Sequence, residues 1–129
     1  MKKIEHAQEN LKKAVASLEK AIATPPVEDR DFAGIIQNFE FVYELTWKTL
    51  KKILEQEGIE APFPRIVFEQ AFKINLISDH MYWKQISEAR NLSAHTYDQT
   101  LAEKLCVEII NTYAPIFKRT LALILTYQV

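Results

Sequence analysis

Apolar residues recur at helical spacing from the start of the chain. Between Ile4 and Ile22 an apolar side chain returns every three or four residues, with lysines and glutamates between them. Pro25 and Pro26 follow closely, and because proline cannot continue a helix, we expect this helix to end by Thr24. The pattern predicts an amphipathic helix with one buried face.

The second apolar segment is longer. Its spacing predicts a helix capped by Asp29 or Asp31 and extending through Leu54. Gly58 is suited to end it, since glycine adopts the left-handed conformation found just past helix ends.

Two shorter helices are expected next. Pro64 is suited to the first turn of a third helix, where its missing N–H costs little. Ser78 or Asp79 can cap a fourth helix that runs to about Leu92.

The last helix is expected to begin near Asp98 or Thr100, and residues 100–103 (Thr-Leu-Ala-Glu) fit a capping box. Pro115 falls inside this helix and is expected to kink it. Long periodic helices with short links predict an all-α antiparallel helical bundle of four to five helices.

Composition supports one domain spanning residues 1–129. Only two glycines are present, which argues against a β protein with many tight turns, and the net charge of −1 predicts no general affinity for nucleic acid. Cys106 is the only cysteine, so the chain cannot form an internal disulfide, and its apolar neighbours predict a buried thiol. The start is polar and no apolar run approaches a membrane span, so we expect a cytoplasmic protein without membrane attachment.

The second helix is aromatic on more than one side, with Phe39, Phe41, Tyr43 and Trp47 close together. A bundle core covers one stripe of a helix, so the surplus predicts either a homodimer contact or deep burial within the bundle.

The segment from Arg90 to Tyr97 carries the chemistry. Arg90 offers a planar fork of donors for phosphate oxygens, and His95 can move protons near neutral pH. On one continuous helix these two residues would lie about 140° apart. They can converge if the helix ends near Ser93, or if two symmetric copies share one cleft. Asn91 lies four residues before His95 and can orient its ring.

The spacing alone also admits a structural explanation. Arg90 would then pair with Glu88 or Asp98, His95 would fill a loop and Tyr97 would pack with its hydroxyl at the surface. The other two histidines, at the starts of helices, fit solvated surface positions.

The segment resembles the Arg-x4-6-His signature of HEPN domains, and its Arg-x4-His-x-Tyr form resembles HepT toxins. The wider sequence resembles the nucleotidyltransferase substrate-binding family, through residues 39–50 (FEFVYELTWKTL) and 88–98 (EARNLSAHTYD). Together these two segments are more specific than the short signature.

The resemblance implies a helical bundle that dimerises with the Arg/His motifs of both copies in one cleft. It also implies a partner, a minimal nucleotidyltransferase encoded nearby. In HepT-type members the bundle is a metal-independent ribonuclease toxin, which the partner neutralises by adenylylating the motif tyrosine, here Tyr97. Other members are viewed as non-catalytic subunits that bind a nucleotide or other substrate for the nucleotidyltransferase, and this alternative stays open.

For the ribonuclease, His95 suits the proton transfers and Arg90 suits the charge on the phosphoryl group, with no metal or cofactor required. Glu40 and Glu44 share a helix face and can enter the cleft, although solvated positions or salt bridges suit them better. A di-iron bundle needs Glu-x-x-His pairs, and the sequence has none.

Overall fold

A computed structural model describes residues 2–128, and all regular elements in this range are helical. The helices are α1 (Lys2–Ile22), α2 (Asp29–Gln56), α3 (Pro64–Lys73), α4 (His80–Leu92), α5 (Gln99–Glu108) and α6 (Ala114–Leu125). A 3₁₀ turn, Ser93–His95, follows α4, and a π-helical segment, Ile109–Tyr113, joins α5 to α6. Counting α5 to α6 as one interrupted helix, the described chain is the expected all-α bundle of about five helices.

The π-helical segment ends two residues before Pro115. Proline has no N–H to donate into the preceding turn, so the regular hydrogen-bond ladder cannot pass through it unchanged. The interruption therefore occurs where the sequence predicted a kink.

The ends of α2 and α3 share one motif. Gly58 has a φ of 76°, and the N–H of Ile59 bonds the carbonyl of Leu54 at 2.8 Å. Asn75 has a φ of 64° in the equivalent position after α3. Both residues occupy the left-handed position of a Schellman motif, which satisfies the last carbonyls of each helix. The expected role of Gly58 is confirmed, whereas the role of Asn75 was not predicted.

The expected caps of α2 were wrong in detail. Glu28, and not Asp29 or Asp31, is the N-cap residue. The Asp31 carboxylate instead reaches back and accepts hydrogen bonds from the N–H groups of Glu28 (2.9 Å) and Val27 (3.0 Å). These bonds favour the charged form, so they lower the pKa of Asp31.

The expected N-cap positions of α4, at Asp79, and of α5, at Asp98, are confirmed, but their bonding differs in detail. Asp79 is the N-cap of α4, but its side chain makes no capping bond and pairs with Arg119 at 3.2 Å. Asp98 caps α5 by accepting from the N–H groups of Thr100 and Leu101, so the expected capping box starting at Thr100 is not the beginning of this helix.

Trp83 fixes α4 to the rest of the bundle. It is fully buried, its ring lies 4.6 Å from Phe68 of α3 and 5.5 Å from Phe117 of α6, and its Nε1 donates to Thr120 at 3.2 Å. Aromatic packing and a satisfied indole N–H both stabilise such a contact. The core therefore holds the helix that carries Arg90 against three neighbouring helices, since Trp83 also packs near Tyr43 of α2.

The closely spaced aromatic residues of α2 differ in how deeply they are buried. Phe39 and Tyr43 are buried in the core and Trp47 is half-buried against it. Phe41 is 56% exposed. Deep burial therefore explains most of the surplus, and Phe41 alone is left for contact with another molecule.

None of the described helices between residues 2 and 128 is both long and apolar enough to cross a bilayer.

Candidate functional site

Arg90 lies at the end of α4 and points to α2. Its Nη1 donates to Glu40 Oε2 at 3.2 Å, and its Nε lies 3.7 Å from Glu44 Oε1. The Arg90 side chain is 31% exposed, so the guanidinium is neither free in solvent nor fully enclosed. The expected salt bridges of Glu40 and Glu44 are thus present, but with Arg90, which pairs with neither Glu88 nor Asp98 in the described chain.

Ser93 completes this cluster, although its position in the sequence did not predict this contribution. Its buried hydroxyl accepts a hydrogen bond from Arg90 Nη1 at 3.1 Å. The hydroxyl proton can reach either Glu40 or the Arg90 carbonyl oxygen. Ser93 sits here because α4 ends at Leu92 and the chain tightens into a 3₁₀ turn. The serine therefore ties the arginine on α4 to the carboxylate on α2.

The second carboxylate is held in place as well. Glu44 accepts a hydrogen bond from Trp47 Nε1 at 3.0 Å through its other oxygen. Arg90 thus faces two carboxylates, of which Glu40 also meets Ser93 and Glu44 is bound by Trp47. The charge of these three side chains sums to −1, so a phosphate would need further positive charge to approach Arg90.

His95 and Tyr97 lie beyond this cluster. Both side chains are exposed, Tyr97 at 88%, and their rings meet edge to face with centroids 6.4 Å apart. No hydrogen bond or ion pair joins Arg90 to His95 within residues 2–128. The helix does end before Ser93, as one predicted route to convergence required, yet the two functional groups remain on separate clusters in the single chain.

Within the described chain no hydrogen bond joins Asn91 to His95. It lies at the edge of a cavity of about 420 Å³ between α3 and α4. Tyr43 and Ser87 meet in the same cavity, with their hydroxyl oxygens 2.9 Å apart, and burial raises the pKa of Tyr43. Asn91 therefore faces a different space from the Arg90 cluster, a separation that spacing along one helix could not reveal.

A second cavity adjoins the Arg90 cluster. It has a volume of about 350 Å³ and lies between α2, the 3₁₀ turn and α5. Glu40, Ser93, Thr96 and Gln99 contribute polar side chains to its wall. The space beside Glu40 and Ser93 can hold a small polar group. Among residues 2–128, no three His, Cys, Asp or Glu side chains gather as a metal site would.

Known proteins resemble this chain over most of its length. A curated relative, the probable ribonuclease HepT of Haemophilus influenzae, is 38% identical over 88 residues, which cover 64% of this chain. The match spans 60% of that relative's own length.

Two solved structures share the fold. One is a Haemophilus influenzae protein described as a substrate-binding domain of a nucleotidyltransferase, with a TM-score of 0.69 and 28% identity over 94% of this chain and 96% of that one. The other is a tri-AMPylated Shewanella oneidensis HEPN toxin in complex with its MNT antitoxin, with a TM-score of 0.79 over 96% of this chain and 97% of that one. Its identity is 16%, so it shows the fold alone.

The family model described as "Nucleotidyltransferase substrate binding protein like" matches residues 6–124. This range includes α2 with its two carboxylates, the Arg90 cluster and the exposed His95 and Tyr97. The chain belongs to the nucleotidyltransferase substrate-binding protein-like family.

Proposed function

We propose that this chain is the HEPN-type partner of a minimal nucleotidyltransferase and acts as a metal-independent ribonuclease toxin in the cytoplasm. The observation that carries the proposal is the Arg90 guanidinium, held by Glu40 and Ser93 at the end of α4, with exposed His95 and Tyr97 just beyond it. The relative named as a probable ribonuclease HepT supports the same activity. The fold is also that of a HEPN toxin solved in complex with its MNT antitoxin.

The reaction would be a transfer within the RNA strand. A base removes the proton of a ribose 2′-hydroxyl, the 2′ oxygen bonds the adjacent phosphorus, and the bond from phosphorus to the 5′ oxygen breaks. An acid protonates the departing 5′ oxygen, which leaves a 2′,3′-cyclic phosphate. His95 suits the proton transfers, and Arg90 stabilises charge on the phosphoryl oxygens.

A homodimer would bring together catalytic groups that the single chain keeps apart. Within one chain Arg90 is held by Glu40 and lies near Glu44, whereas His95 contacts Tyr97. A two-fold dimer would bring a second Arg90 and a second His95 to the same cleft. Exposed Phe41, near these carboxylates on α2, is the apolar side chain that we assign to the contact.

Tyr97 is the proposed acceptor of adenylyl groups from the partner. Its phenol oxygen would attack the α-phosphorus of ATP, pyrophosphate would leave, and the new O–P bond would place a nucleotide beside His95. An exposure of 88% makes the hydroxyl accessible. Co-expression with the nucleotidyltransferase should add AMP to the peptide that contains Tyr97, and modification that persists unchanged in Tyr97→Phe would move the acceptor elsewhere.

Cleavage rates test the assignment of Arg90 and His95. With a defined RNA and chelator present, Arg90→Ala and His95→Ala should each lose about 10²–10⁴-fold in rate while remaining folded. Arg90→Lys should not recover full activity, because an ammonium cannot reproduce the planar fork. Arg119→Ala removes another ion-paired arginine, the partner of Asp79, and should cleave normally. Equal rates for all variants would contradict the assignment.

The alternative is a non-catalytic subunit that binds a nucleotide or other substrate for the nucleotidyltransferase. The likeness to a structure described as a substrate-binding domain favours it. In that case the wild type would cleave no RNA, and Arg90→Ala would lose nucleotide binding measured by calorimetry. Retained binding in Arg90→Ala, together with absent cleavage, would exclude both functions for this arginine.

A further inference from the structure

A groove between α1 and α2 is lined by three lysines and a histidine. Lys3 and His6 come from α1, and Lys48 and Lys52 come from α2. The groove has a volume of about 170 Å³, and none of its lining residues is Asp or Glu. Between the lysines lie small, apolar or uncharged side chains: Ala7, Asn10, Leu45 and Thr49.

The lysines of this groove are not used in ion pairs. Among residues 2–128 all four arginines and Lys51 have a carboxylate within 4 Å, whereas Lys3, Lys48 and Lys52, like the other described lysines, have none; what distinguishes these three is that they line one groove. Lys48 and Lys52 also lie one turn apart on α2, where like charges repel. Unpaired cations that converge on a groove favour an anion as its ligand.

The groove and the Arg90 cluster use neighbouring positions on α2, since Leu45 of the groove directly follows Glu44. Glu44, which lies 3.7 Å from Arg90, is one turn before Lys48, and Lys52 follows after another turn. At 1.5 Å per residue, the backbone distance from Glu44 to Lys52 is about 12 Å. A polyanion that reaches Arg90 can therefore meet these lysines at the same time, and they supply positive charge that the Arg90 cluster lacks.

We propose that this groove binds the phosphate backbone of single-stranded RNA on its approach to Arg90, an inference that rests on the proposed ribonuclease function. Lysines neutralise phosphates without reading sequence, and the apolar floor can contact sugars and base edges. The bases of a duplex are paired and stacked inside the helix, so a strand whose sugars and base edges contact this floor is single.

The test compares two double variants with equal charge change, both in the His95→Ala background to prevent cleavage. Lys48→Gln with Lys52→Gln removes two groove cations, and Lys104→Gln with Lys118→Gln removes two exposed lysines of α5 and α6. Fluorescence anisotropy with a labelled single-stranded RNA should show about 25-fold weaker binding at 0.1 M salt for the groove variant only. Its slope of log affinity against log salt should be shallower by about 1.4.

Three results would overturn the inference. The first is that both double variants bind RNA with equal affinity, and the second is that the parent protein binds no RNA. The third is that the groove variant binds RNA as the parent does but, unlike the control variant, no longer binds the nucleotidyltransferase. The last result would make the groove a protein contact. Selective loss of RNA binding supports the groove even if the wild type cleaves nothing, in which case the ribonuclease proposal fails and the groove remains.

Discussion

Replacing Ser93 by alanine tests how the fold positions Arg90. Ser93 is 4% exposed, and its hydroxyl accepts a hydrogen bond from Arg90 and can donate one to Glu40. The variant therefore removes one contact of the 3₁₀ turn with α4 and one with α2. Arg90 and Glu40 keep each other as partners at 3.2 Å, which limits the loss to about 1 kcal/mol rather than the larger penalty of an orphaned charge. For 129 residues the unfolding entropy is about 270 cal/mol/K, so this loss lowers the melting temperature by roughly 4 °C.

The same change should slow cleavage by about tenfold, because a guanidinium displaced by a fraction of an ångström stabilises the transition state less well. Thermal melting followed by circular dichroism and a cleavage assay would measure both effects. Ser17→Ala is the matched control, since Ser17 also donates to a side chain, Asn38, but at the exposed surface. It should change the melting temperature by at most about 2 °C and leave cleavage unchanged. Ser93→Ala with a wild-type cleavage rate would refute the positioning argument, whatever its melting temperature.

Three further predictions concern the thiol, the core and the dimer. Burial raises the pKa of Cys106 to about 11, so a thiol reagent at pH 8 should label the native protein far more slowly than the urea-unfolded protein. The thiol of the unfolded chain ionises at lower pH than the buried thiol, so the free energy of unfolding should fall between about pH 9 and pH 11. Equal labelling rates would contradict its burial. Trp83→Ala should lower the free energy of unfolding, measured with urea, by about 3–5 kcal/mol. Trp83→Phe should lower it less, although it also loses the hydrogen bond to Thr120. Equal losses for the two variants would argue against the packing described. Light scattering at micromolar concentration should give twice the 15.0 kDa chain mass, and Phe41→Glu should shift it towards the monomer; an active wild-type monomer would contradict the shared cleft.

Helix positions follow from the sequence because periodicity and backbone chemistry are local. Two prolines end α1, Pro64 begins α3 and Gly58 closes α2, each by a constraint within one residue. The caps were less predictable, because a cap depends on which partner a side chain finds. Asp79 accepts a hydrogen bond from Arg119, which lies forty residues away in sequence, and no local pattern around α4 predicts this contact.

In the candidate site, too, some features were predictable from the sequence and others depend on tertiary contacts. The motif itself identifies Arg90, His95 and Tyr97, since the residue types and their order carry the resemblance. The partners of Arg90 on α2 lie fifty residues away, so only the packing of α4 against α2 reveals that Glu40 holds the guanidinium. The spacing predicted that Glu40 and Glu44 share one face of α2, but not that Ser93 would link that face to Arg90.

Analysis of the RNA ends tests the central claim most directly. The purified wild-type protein would be incubated with a defined single-stranded RNA in the presence of chelator, and the fragments would be identified by mass spectrometry. The proposed chemistry predicts 2′,3′-cyclic phosphate and 5′-hydroxyl ends that disappear with His95→Ala, because the internal hydroxyl is the nucleophile and His95 moves its proton. Fragments with 3′-hydroxyl and 5′-phosphate ends, or no fragments from a folded wild-type protein, would contradict it.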